Sequence, residues 1–289
     1  MDDLSLRLET IMPFPESQRV VFAKNPITQV IVQLQFPPIL AILASPPAAF
    51  QERIRATYPL YSQEPSVTVP EQLATLLRQL SVPPQPQLTR HVFATADRRR
   101  SVSLTRDFIA LEETSYARWE LFRDEMQQLQ VALQQVYSPA FFTRIGLRYV
   151  DVIDPEQLGL EFTSWQELIN DKLLGILSDE SLESEVGESA STFLLNVNRV
   201  PGGQVRLQHG LRVKEGGSRK NATYTIDVDL STQRSTHARD VIPTLDIFNG
   251  IAGNLFRWSI TRRLSEFLEP TALGPSAMVT SGDRHASAG

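Results

Sequence analysis

The chain has 289 residues, 42% of them hydrophobic, a formal net charge of −5 and no cysteine. This length and apolar content allow one large domain or two ordinary ones, and the absent cysteine excludes a disulfide scaffold, a thiolate metal site and a cysteine nucleophile while suiting a reducing cytoplasm. Residues 178–190 (SDESLESEVGESA) hold five acids and no base, so the acidity is local and the remainder is neutral, which argues against coating nucleic acid by bulk charge.

In chain order, residues 1–20 read as an N-terminal arm without the basic and apolar regions of a secretory signal. No stretch reaches the roughly 20 apolar residues of a membrane span. After Asn25-Pro26, ITQVIVQLQF places Val30, Val32, Leu34 and Phe36 on one face and Gln29, Gln33 and Gln35 on the other, a half-buried strand closed by Pro37-Pro38. Phe50, Ile54 and Tyr58 then recur at helical spacing behind Pro46-Pro47. A Pro-rich excursion over 61–89 contains one short helix at 71–80. From Val92 the pattern is that of a three-strand meander, with the basic triplet Arg98-Arg99-Arg100 in its first turn. A long helix follows, its stripe formed by Trp119, Phe122, Met126, Leu129, Leu133 and Val136.

The second half repeats the order. In SPAFFTRIGLRYVDVIDP, Ile145, Leu147 and Tyr149 alternate with Arg144, Gly146 and Arg148 in a central strand ending at Asp154-Pro155. Thr163-Ser164 reads as the cap of a helix through Trp165, Leu168, Ile169, Leu173 and Leu174. Three strands follow, turning at 201–203 and 215–218. One long helix then carries Leu245, Phe248, Ala252, Phe256, Ile260, Leu264 and Phe267, and a tail without periodicity reads as disordered.

The expected fold class is α+β: a first half over 21–138 and a second over 139–270, each strand, helix, three strands and long helix, forming a curved antiparallel sheet backed by the two long helices. The order resembles the saddle of the TATA-binding protein and the helix-grip folds, in topology only. The repeat is one of element order and not of residue identity.

The alternation predicts an outward sheet face bearing Arg144, Arg148, Arg206, Gln208 and Arg212, with Thr223, Thr225, Asp227 and Asp229 on a neighbouring strand. Four arginines on one open face suit phosphates or an acidic partner, or else pair with the aspartates and simply solvate the sheet. No aromatic residues interleave with them to stack bases. Asp227 and Asp229 share a face, as a divalent ion requires, but no third carboxylate or fixed lysine completes a metal site. The histidines, His91, His209, His237 and His285, are far apart in sequence, so no metal cluster is expected. Tyr116, Trp119 and Phe122 begin an apolar stripe and read as core rather than as a recognition patch, His209 reads as a half-buried strand residue, and GGSRKN at 216–221 lacks the ending of a phosphate loop. No cofactor and no catalytic residue is assigned.

FAKNPITQVIVQLQFPP, FIALEETSYARWELF and RIGLRYVDVIDP together resemble a sporadically distributed, uncharacterised bacterial family. That family has an F-x-x-N/P-P-I-x-E-V opening, a Tyr-x-x-Trp-x-x-Phe block and an R-I-G-L-R-Y core strand. The resemblance covers most of residues 20–270, and Gln29 departs from it at the acidic position of the opening. It implies no established activity. The expected function is non-catalytic: a cytoplasmic binding or interaction protein that docks a partner protein through the polar sheet face or the acidic loop. Sporadic distribution associates such a family with bacterial defence or toxin–antitoxin modules. Nucleic-acid binding through Arg144, Arg148, Arg206 and Arg212 is the alternative.

Overall fold

The computed structural model describes residues 14–65, 89–183, 185–213 and 222–272. The strands among them are β1 (Val20–Phe22), β2 (Ile27–Gln35), β3 (Leu60–Pro65), β4 (Thr89–Ala94), β5 (Arg100–Leu104), β6 (Phe108–Glu113), β7 (Arg144–Ile153), β8 (Ser191–Val197), β9 (Gly203–Val213), β10 (Ala222–Thr232) and β11 (Pro270–Ala272). Nine form one antiparallel sheet in the order β3-β4-β5-β6-β2-β7-β10-β9-β8, while β1 and β11 make a separate two-stranded ribbon. The principal helices are α1 (Leu40–Ala44), α2 (Ala48–Ile54), α3 (Trp119–Tyr137), α4 (Val241–Ser259) and α5 (Arg262–Phe267).

The sheet is centred on β2 against β7, with Val32 opposite Leu147. β6 flanks β2 and leads into α3, and β10 flanks β7 and leads into α4. The strand order therefore has matching neighbours on both sides of the central pair. That correspondence is topological, and a duplication of the chain does not follow from it.

Alternation decides which face each strand buries. Val30, Val32, Leu34, Ile145, Leu147, Ile226, Val228 and Leu230 are buried on the covered face and join α3 and α4 in one hydrophobic core. Trp119, Phe122, Met126, Leu129 and Leu133 of α3 bury as the stripe predicts, and the helix stops where Ser138 turns left-handed at φ 46°. Both halves of the chain thus supply one sheet and one core.

The structure departs from the expected elements in several places. The β1–β11 ribbon was not expected, and β11 takes Thr271 and Ala272 out of the stretch from 271 that reads as a disordered tail, because both pair with β1. The single C-terminal helix is two: Ile260 is extended and bridges to Ile169, the Thr261 amide donates to the Leu168 carbonyl, and the Thr261 hydroxyl accepts from the Leu264 amide to start α5. The helix expected after Thr163-Ser164 is a 3₁₀ turn (Trp165–Glu167) and a short helix (Asp171–Leu174), because Ile169 is drawn into that bridge. α1 and the mostly exposed edge strand β3 carry no clear period and were not expected. Arg100 lies in β5 rather than in the turn. The expected helix at 71–80, the turn at 215–218, residues 1–13 of the arm and the tail from 273 lie outside the described residues. Among the described residues no helix is long and apolar enough to cross a membrane.

Candidate functional site

The outward sheet face carries the four predicted arginines, but they do not form one free basic surface. Arg148 donates from Nε and Nη2 to the Asp227 carboxylate at 2.8 and 2.5 Å. Arg144 donates to both oxygens of Asp229 at 3.2 Å and to Gln33 at 3.1 Å. Gly146 permits this path, since a Cβ there would run into the Arg144 guanidinium. Arg206 is exposed, and Arg212, 79% exposed, stands 4.0 Å from Glu188. The cross-strand pairs occupy the two aspartates, so Asp227 and Asp229 are held by guanidinium groups; among the described residues no three acidic or histidine side chains are grouped to hold a metal ion. Arg148→Gln is expected to cost on the order of 1 kcal/mol, read as a shift in urea midpoint, because the exchange removes a bidentate pair on a partly exposed face.

A second site lies on the opposite face. A cavity of about 360 Å³ opens between the sheet, α4, the approach to α3 and the N-terminal arm. Its floor is β7, where Tyr149 and Asp151 point inward with the core phase of the strand. The arm forms its cover. Phe14 is buried against Trp258, the Ser17 amide and hydroxyl both reach Asn254 Oδ1 at 3.3 Å, and Arg19 pairs with Glu120 of α3 at 2.5 Å. The β1–β11 ribbon holds the far end of the arm, and Phe22 of β1 packs edge-on against Phe256 of α4.

The lining of this cavity mixes apolar side chains with polar and charged ones. Tyr149 donates its hydroxyl to Asn249 Oδ1 at 3.0 Å, and the Tyr116 hydroxyl stands 3.4 Å from that of Tyr149. Burial pushes both phenols above their ordinary range. Asp151 is 3% exposed, and among the described residues its carboxyl has neither a hydrogen bond nor an ion pair. Burial, reinforced by the negative charge of Asp227 on the adjacent strand, pushes it up to about 8. Arg257 donates to Ser17 Oγ at 2.5 Å and Asn254 Oδ1 at 2.8 Å, both neutral, and burial with the nearby Arg19 charge lowers its pKa.

Of the residues singled out in the sequence, Tyr116, Trp119, Tyr149, Ala252 and Phe256 line this cavity, while Arg144, Arg148, Arg206 and Arg212 do not. Trp119 and Phe122 are core as expected, and His209 is buried, its Nδ1 2.7 Å from the Tyr224 hydroxyl. Asp151, Arg257 and Arg19 went unrecognised. One signal existed for Asp151: it continues the apolar phase Ile145, Leu147, Tyr149, where a carboxyl has no packing reason to stand.

No family model matches the chain, and no curated protein matches it. Among solved structures, the duplicated taurocyamine kinase from Schistosoma mansoni, with bound transition-state-analogue components, is similar over 79% of this chain at 9% identity and a TM-score of 0.32. The chain spans 32% of that kinase chain, and a likeness this slight carries no argument about function.

Proposed function

We propose that the protein is a non-catalytic, cytoplasmic binding protein and that the cavity beneath its N-terminal arm holds a small organic ligand. One observation carries this reading: a carboxyl without a partner among the described residues, Asp151, is kept at the floor of a partly open, largely apolar cavity. Burying such a group opposes folding, so its place is explained by something that enters the cavity. Gly250 supports the same reading. It sits in the interior of α4 at the cavity mouth, where glycine costs roughly 1 kcal/mol against alanine and a Cβ would meet no atom within 4 Å.

Docking of a protein partner is the second reading, favoured by β8. This strand ends the sheet, is paired on one side only among the described residues, and exposes Phe193 and Leu194 directly after the acidic segment. An apolar open edge invites a partner strand. The ion pairs of Arg144 and Arg148 weigh against the nucleic-acid alternative, because they leave Arg206 and Arg212 as its main cations. The resemblance to the uncharacterised bacterial family, with its association with defence or toxin–antitoxin modules, remains part of the proposal and adds no chemistry to it.

Native mass spectrometry of protein purified from its own host tests both readings. A small-molecule adduct present in the wild type and lost in Gly250→Phe supports the cavity. A stoichiometric polypeptide retained by Gly250→Phe and lost in Leu194→Lys moves the working surface to β8. A chain that carries bound oligonucleotide and neither a small molecule nor a polypeptide overturns both.

A further inference from the structure

An acid and a base, Asp151 and Arg257, line the same cavity without pairing with one another. Among the described residues, Asp151 stands on the β7 floor with no donor to its carboxyl, and Arg257 extends from α4 with only neutral acceptors, Ser17 and Asn254. The other charged groups of the lining are accounted for differently: Arg19 is paired with Glu120, Arg199 lies 3.7 Å from Glu16, and Arg118, at the N-cap position of α3, is exposed to solvent. Arg19 is close enough to Arg257 to oppose its charge, so the cationic end of the cavity gathers at the arm. Asp151 rises from the β7 floor and Arg257 comes from the last turn of α4 beside the arm, so the two groups stand on different walls of the cavity. Tyr149 and Tyr116, with rings 5.7 Å apart and edge to face, line the cavity together with Asp151 and Trp119.

We propose that the ligand is a small dipolar molecule, an amine that also carries a carboxylate or phosphate, with its ammonium received by Asp151 and its anion by Arg257. The inference rests on the cavity being a ligand site. An ammonium supplies the hydrogen bonds that the buried carboxyl lacks, and the aromatic rings beside it favour a cation through their faces. A carboxylate or phosphate matches the planar fork of Arg257, and its charge relieves the repulsion from Arg19. The apolar walls from Phe22, Ile27, Val228 and Phe256 receive the carbon chain between the two ends. The groups that share this field with Asp151 are Tyr149 on its own strand, Asp227 on β10, Tyr116 before α3, and Arg19 and Arg257 at the arm. Because the ammonium requires the ionised carboxylate, affinity should rise with pH through the neutral range and level off once Asp151 is ionised in the free protein.

The probes are 6-aminohexanoate, hexylamine, hexanoate and hexanol, titrated calorimetrically into the full chain, with 6-aminohexylphosphonate added to separate carboxylate from phosphate recognition. The dipolar probe, in its carboxylate or its phosphonate form, is expected to bind at least ~tenfold more tightly than hexylamine or hexanoate, a difference of about 1.4 kcal/mol. Asp151→Asn should remove the advantage over hexanoate and the pH dependence together, and Arg257→Gln the advantage over hexylamine. Should either variant fail to fold, the wild-type ranking of the probes still decides. Hexanol or hexanoate binding as tightly as the dipolar probes would leave the cavity a ligand site and overturn the dipolar assignment. Failure of every probe, together with no adduct on the host protein, would overturn both.

Discussion

Raising the pH from 5 to 9 is expected to destabilise the wild-type protein relative to Asp151→Asn by on the order of 4 kcal/mol. The folded carboxyl, with its pKa raised to about 8, holds a proton that the unfolded chain gives up near the ordinary carboxylate value. Between those two values the native state binds more protons than the unfolded one, so stability falls as pH rises and is flat above the upper value. His91 and His209, whose pKa values are lowered by burial, act in the opposite sense at the acidic end and are common to both proteins. Urea midpoints of the two proteins should therefore converge toward pH 5 and separate toward pH 9, with the variant the more stable. Parallel curves would show that Asp151 is ionised in the native state throughout, and that a partner for it exists.

Arg100→Leu is expected to cost ~3 kcal/mol, because it strands acids that the fold has drawn inward. Arg100 donates to Glu113 at 2.9 Å and also to Glu125 of α3, while the Tyr58 hydroxyl donates to the other oxygen of Glu125. Glu113 is only 5% exposed, and its pKa is raised by burial despite the arginine. Removing the guanidinium leaves one carboxylate deeply buried and another half-satisfied. Arg262→Leu breaks a pair in which the arginine is 93% exposed and should leave the urea midpoint essentially unchanged. Equal shifts in the two variants would refute the view that the Arg100 network clamps α3 to the sheet.

The same residues show what the sequence discloses and what it hides. β2, β7, β10 and α3 were legible because each buries one face and exposes the other, so composition along the chain repeats the geometry. The break after Ser259 was not, since Ile260 and Leu264 keep helical spacing on either side of it and the cause is a bridge to a residue 91 positions earlier. The four outward arginines were placed on the correct face, but pairing across strands depends on register, which alternation alone does not supply. The cavity was invisible for a different reason: it is assembled from the arm, α4, β7 and the approach to α3, which touch only after folding. Its one trace in the sequence was an acid in an apolar phase. Arg100 and Glu113 were a second such trace, polar residues on the covered phases of β5 and β6 that answer one another.

The β1–β11 ribbon sets a limit on how this protein can be made. Val20 pairs with Ala272, and the Ala23 and Lys24 amides donate to the carbonyls of Glu269 and Leu268, so the arm has no seat until almost the whole described chain has been synthesised. The central pair shares the problem on a smaller scale, because β2 must wait more than 100 residues for β7. Contacts of such sequence separation slow folding, and three-residue strands are closed late and opened cheaply. Amides of the ribbon should therefore exchange with solvent long before those of β7, and the floor of the cavity will be rigid at times when its cover is not.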